Sequence, residues 1–94
     1  MPSDPDVVEN TAERRYELVV DGHTAVVDYR RHARGLALVH TFVPAPIEGR
    51  SVATRLVTEI FARARASGQR IVPHCAFVRE FAERHPEYAD VVAP

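Results

Sequence analysis

The chain has 94 residues, enough for one small domain with a single core. At 46% hydrophobic and 27% charged residues it is too apolar for a disordered chain, and no apolar run reaches the roughly 20 residues of a membrane span. Twelve basic residues against thirteen acidic ones leave no basic excess for nucleic acid, and one cysteine excludes an internal disulfide. The expectation is a cytoplasmic protein with neither nucleic acid nor membrane as partner.

Residues 1–12 are acidic and proline-bearing, without the basic and apolar regions of a secretory signal, and read as a disordered lead-in to a single domain over 13–94. Arg15 to Val20 reads as a strand with Tyr16, Leu18 and Val20 on one face. Asp21-Gly22 is a hairpin turn signal, and the return strand runs from His23 to about Arg31 with Ala25, Val27 and Tyr29 aligned. Arg30, Arg31 and Arg34 cluster around the next turn and read as a solvated loop, with a phosphate-binding patch as the less favoured alternative. Leu36 to Val43 is apolar on both faces, which predicts a central strand covered on both sides. Pro44 and Pro46 offer no N–H and stop the pairing.

From Ser51 to Ser67 the period becomes helical. Val52, Ala53, Leu56, Val57, Ile60, Phe61 and Ala64 form the apolar stripe, with Arg55, Glu59 and Arg63 opposite. Gly68 ends the helix. Gln69 to Cys75 predicts a fourth strand parallel to the third, through a strand–helix–strand crossover. A second helix from about Ala76 to Arg84 buries Phe77, Val78 and Phe81, and Glu87 to Val92 is a tail anchored by Tyr88. The expected class is α+β: a three-stranded antiparallel meander, then a helix, a parallel strand and a C-terminal helix.

Three features bear on chemistry. Glu48-Gly49-Arg50-Ser51-Val52-Ala53 joins a strand to a helix, and such a turn aims free N–H groups outward where they hold an anion. Its plainer reading is a turn with Ser51 as N-cap, since one glycine makes neither a Walker A nor a Rossmann fingerprint. Cys75 is read either as a small core hydrophobe or, at a strand end and a helix N-terminus, as a thiol of lowered pKa. His40 lies on the face of Leu36, Leu38 and Phe42, as a hydrogen-bonded core residue or a base, and His74 is expected on the opposite sheet face from Cys75. One cysteine without paired histidines or carboxylates gives no expected metal site.

Taken together, His40-Thr41, Val43-Pro44, Gly49-x-Ser51-Val52-Ala53, Val72-Pro73-x-Cys75-x-Phe77-Val78 and His85-Pro86-Glu87-Tyr88-Ala89-Asp90 resemble the small YjdJ-like branch of the GNAT acetyltransferase superfamily. The likeness runs from about Tyr16 to Val92 and implies a minimal GNAT-like fold that moves an acetyl group from acetyl-CoA to an amine acceptor. It implies that Thr41, Phe42 and Val43 lie along pantetheine, and that Gly49, Arg50, Ser51, Val52, Ala53 and Thr54 hold the pyrophosphate. Cys75 matches the family cysteine beside the thioester, and His40 is the second catalytic candidate.

Two positions depart from the superfamily turn. Ser51 replaces a glycine, with αR geometry and a hydroxyl donated to phosphate as the expected accommodation. Glu48 stands where Gln or Arg is usual, and a carboxylate ~8 Å from a unit phosphate charge costs roughly 2 kcal/mol at an effective dielectric of ~20. Arg50 and Arg55 are expected to offset it, leaving CoA binding weakened but not abolished. The alternative function is a non-catalytic CoA-binding or protein-interaction module with a degenerate turn.

Overall fold

A computed structural model of the chain describes residues 6–94. Asp21 and Gly22 take φ of 50° and 77°, the pair of left-handed residues that lets a two-residue hairpin follow the twist of its strands. That hairpin joins β2 (Arg15–Val20) to β3 (His23–His32), and β3 returns as β4 (Gly35–Phe42). A further strand, β1 (Val7–Asn10), pairs antiparallel with β2, so the meander has four strands rather than three. The lead-in expected over residues 1–12 is therefore part of the sheet from Val7 onward, and residues 1–5 lie outside the described residues. Strand β2 is covered on its outer edge by β1.

The reason β1 holds lies in groups that short-range patterning does not reveal. Val7 is buried opposite Leu18, and the Tyr29 hydroxyl donates to Glu9 at 2.5 Å. Arg63 bonds Glu59 at 2.7 Å and donates to the Val7 carbonyl at 2.7 Å. Glu59, placed on a solvated helix face by periodicity, is only 5% exposed because that face runs beside β1. Burial, with the Glu9 carboxylate beside both rings, pushes the Tyr16 and Tyr29 hydroxyls up to about 12. A raised pKa means that the folded chain keeps its phenol protons. The contribution is thus full below pH ~10, where an unfolded tyrosine ionises, and is lost as pH rises towards 12. Ultraviolet titration is expected to show these two phenols ionising together with loss of the sheet circular dichroism signal. Ionisation of both near pH ~10 with the sheet intact would contradict this account.

Helix α1 (Val52–Ser67) crosses from β4 to β5 (Ile71–Pro73), which pairs parallel to β4 as expected. Its stripe of Val52, Leu56, Val57, Ile60, Phe61 and Ala64 packs on Leu18, Ala25, Val27 and Leu38 from one sheet face. Helix α2 (Ala76–Arg84) adds Val78 and Phe81 to the same core, while Phe77 is half-buried. The tail is more tightly held than a single anchor implies. Tyr88 packs edge-on to Phe61 at 5.4 Å, and Arg65 binds Asp90 at 2.6 Å. Ile71 bonds the backbone of Val91 and Ala93 at 2.8 Å each, so the tail forms a rudimentary strand beside β5.

At the start of β4, a Cβ on Gly35 would meet the Arg70 carbonyl oxygen at 2.3 Å, and its φ of 148° suits only glycine. This close approach lets β4 and β5 pair from their first residues. With both helices on one side, the second face of the meander carries no helix. The expectation that β4 is covered on both sides holds for Leu36, Ala37 and Leu38 but fails beyond them, where Phe42 is 52% exposed. No helix among the described residues is long and apolar enough to cross a membrane.

Candidate active site

The site is shaped by one extra residue in β4. Tyr29 pairs with Leu38 and Asp28 with His40, so Val39 has no partner and forms a β-bulge. Because side chains alternate strictly along a strand, the bulge reverses the faces of everything after it. His40, read as sharing a face with Leu36 and Leu38, turns instead to the helix-free side, where Nδ1 lies 3.3 Å from Asp28 Oδ2. Thr41, opposite Val27, turns to the core side.

The bulge also leaves an edge open. Leu36 N–H bonds the Arg70 carbonyl at 2.8 Å, and the Leu38 carbonyl accepts from His74 and Cys75 at 3.1 and 2.9 Å. Beyond Leu38 the chain after β5 turns into α2 and leaves β4 without a neighbour on that side. Tyr29 directs its N–H toward β2, bonding the Arg14 carbonyl at 2.9 Å, so Asp28 faces β4 and its partner His40 faces β3. By alternation, Thr41 aims its N–H and C=O into the gap. Thr41, Phe42 and Val43 thus form a free strand edge, with Phe42's side chain on the helix-free face opposite Val26.

Cys75 closes the gap from the other side. It is the N-cap of α2, half-buried, with Sγ 3.4 Å from the Thr41 hydroxyl. Burial opposes ionisation, but the Thr41 hydroxyl and the backbone N–H groups of Val78, Phe77 and Thr41 outweigh it and hold the thiol pKa below its ordinary value. His74 faces away from Cys75, as expected, edge-on to His32 at 5.5 Å and in a trough with His40. The structure therefore brings Cys75 together with Thr41 and places His40 across the sheet, partnered by Asp28. Asp28 escaped the sequence reading because its register with His40 depends on the bulge, which no residue announces.

The turn from Glu48 to Ser51 is built by two left-handed residues, Gly49 at φ 79° and Ser51 at φ 59°. Ser51 is the N-cap position of α1 but makes no side-chain capping bond, and it is αL rather than αR. It has kept the backbone conformation for which glycine is suited. The first helical bond is Arg55 N–H to the Ser51 carbonyl at 3.0 Å, so the N–H groups of Val52, Ala53 and Thr54 have no acceptor among the described residues. Thr54 and Phe77 line one small cavity of about 80 Å³, which sets the first turns of α1 and α2 beside each other. Arg50 reaches back to Asp21 at 2.5 Å and Arg55 lies 3.8 Å from Asp6, so the two cations expected to offset Glu48 are engaged elsewhere.

A non-glycine residue in αL costs about 1–2 kcal/mol, partly returned by glycine's greater freedom when unfolded. Ser51→Gly is therefore expected to stabilise the fold by about 0.5–1 kcal/mol, raising Tm by about 2–8 °C. A thermal melt checks it, and an unchanged or lower Tm would show that Ser51 carries no such strain.

Among the described residues no group of three or more His, Cys, Asp or Glu is placed to hold a metal ion. The site thus sets a free strand edge and a helix N-terminus with open N–H groups beside a thiol across the gap. Residues 15–91 match the family model for the GCN5-related N-acetyl-transferase. The chain belongs to that family, and acetyl transfer is its general chemistry.

Proposed function

We propose that this chain is an N-acetyltransferase of the small YjdJ-like branch, working in the cytoplasm and moving the acetyl group of acetyl-CoA to an amine. The observation that carries this reading is the open edge Thr41–Val43 facing the Cys75 thiol, with the N–H groups of Val52, Ala53 and Thr54 following in the chain. Thr41, Phe42 and Val43 would hold pantetheine along that edge. Gly49, Arg50, Ser51, Val52, Ala53 and Thr54 receive the pyrophosphate at the positive end of α1.

Acetyl-CoA supplies the acyl group as a thioester. The amine nitrogen bonds the carbonyl carbon and the C–S bond breaks. The amine's proton passes to His40, and the departing thiolate takes a proton from Cys75. Val43 N–H, the next outward donor along the free edge, stabilises the carbonyl oxygen as charge develops on it. Asp28 orients His40 through Nδ1 and balances the imidazolium that forms. Cys75 is a competent acid toward CoA because its pKa is held low; solvent restores its proton and takes up the one left on His40.

The second reading, a CoA-binding or protein-interaction module without turnover, is favoured by Glu48 and by the engagement of Arg50 with Asp21. Calorimetry with CoA and an assay of thiol release with an amine mixture separate the two. Binding with amine-dependent thiol release supports the enzyme, and binding without it supports the module. No heat or thermal shift at millimolar CoA excludes both.

A further inference from the structure

The helix-free face holds a trough of about 750 Å³ lined by Glu13, Arg14, Asp28, Arg30, His40 and His74, with Tyr29 and Val39 at its base. It lies across the sheet from Cys75 and begins at the bulge, where the gap beside β4 opens. The His40–Asp28 pair stands at the bulge, at 3.3 Å from ring to carboxylate. Arg30 is two residues along β3 from Asp28, on the same face, and Arg14 comes from the β1–β2 turn. Neither the Arg14 nor the Arg30 side chain has a hydrogen bond or ion pair to any described residue. Arg14 is also held at φ 55°, the left-handed region that non-glycine residues rarely adopt.

We propose that this trough is the acceptor site and that it selects an amine carrying a carboxylate, a zwitterion of amino-acid size. This rests on the acetyl-transfer reading above. The amine end is set by reach: only a nitrogen at His40 and Asp28 approaches the gap from the face opposite Cys75. The anionic end follows from the two guanidinium groups, which match a carboxylate in charge and in paired N–H geometry. Two carboxylates, Glu13 and Asp28, balance two guanidinium groups around the trough, which suits a molecule of no net charge over a polyanion or a polycation. Two residues of strand rise about 6.8 Å, a span that a flexible arginine side chain shortens to meet an α-carboxylate.

The test is an NMR titration of the isotope-labelled full chain, first with CoA and then with an equimolar pool of the standard amino acids. A parallel titration uses the same amino acids as methyl esters. Amino acids are expected to move the Arg14 and Arg30 Nε–H signals and the His40 ring signals. The esters are expected to bind about ten-fold more weakly, as is the amino-acid pool to Arg30→Gln. Esters that bind as well as acids, with CoA still moving the Thr41 and Cys75 amides, overturn the carboxylate selection alone. CoA that leaves those amides unmoved removes the acetyl-transfer reading, and with it the trough's role as an acceptor site.

Discussion

Cys75→Ala is expected to lower amine-dependent acetyl transfer by about 10²–10⁴-fold while leaving the fold intact. The side chain is half-buried at the rim of the core, so its loss removes little packing. In the mechanism proposed above, what it removes is the proton donor facing the departing thiolate. Cys75→Ser separates acidity from shape, because a serine hydroxyl of similar size is far too weak an acid and should be nearly as slow. Rapid-quench mass spectrometry of the wild-type chain with acetyl-CoA should find no acetyl adduct on Cys75. An adduct formed at the rate of turnover would replace direct transfer with an acetyl-enzyme.

The same thiol makes a pH statement with a definite sign. Its folded pKa lies below the ordinary value of 9.0, so between the two the unfolded chain holds the proton and the folded one does not. The resulting stability is present in full above the unfolded pKa and fades as pH falls through the folded one. Cys75→Ala abolishes this slope, and Thr41→Val should reduce it by deleting the hydroxyl beside Sγ. Alkylation of Cys75 reads it directly: its rate should reach half-maximum at lower pH in the wild type than in Thr41→Val. Coincident profiles would show that the hydroxyl does not support the thiolate.

Much of this arrangement was legible in the residues because local chemistry determined it. Asp21-Gly22 demanded a hairpin, the apolar stripe of α1 demanded a sheet to cover, and the spacing between β4 and β5 demanded a parallel crossover. Cys75 at the strand end could be placed for the same reason. The rest depended on partners distant in sequence. The strand character of Val7 to Asn10 comes from Tyr29 and Arg63, 20 and 56 residues away in the bonds they make to Glu9 and Val7. The face of His40 depends on Val39 being left out of register, and alternation counted without that residue puts His40 on the wrong side. The αL backbone at Ser51 runs against serine's own preference and is imposed by the turn it closes. Both misplacements fall at the candidate site, where local rules are expected to yield to function.

The largest expected effect on stability is that of Phe61→Ala. Phe61 is fully buried at the centre of α1 and meets Phe81 of α2 edge-on at 5.1 Å and Tyr88 at 5.4 Å. Deleting such a side chain costs about 3–5 kcal/mol, against a total of about 5–14 kcal/mol for a chain of this length. Tm should therefore fall by at least about 12 °C, and a fall of less than about 4 °C would falsify the central role given to this ring. The milder Phe61→Leu keeps the chain folded and tests how the core supports the site. Phe81 and Tyr88 dock α2 and the tail onto α1 through this ring, and Cys75 is the residue at which α2 begins. Loosening that contact relaxes the N–H groups of Phe77 and Val78 that favour the thiolate. The alkylation half-point of Cys75 in Phe61→Leu should accordingly move up toward that of a free thiol.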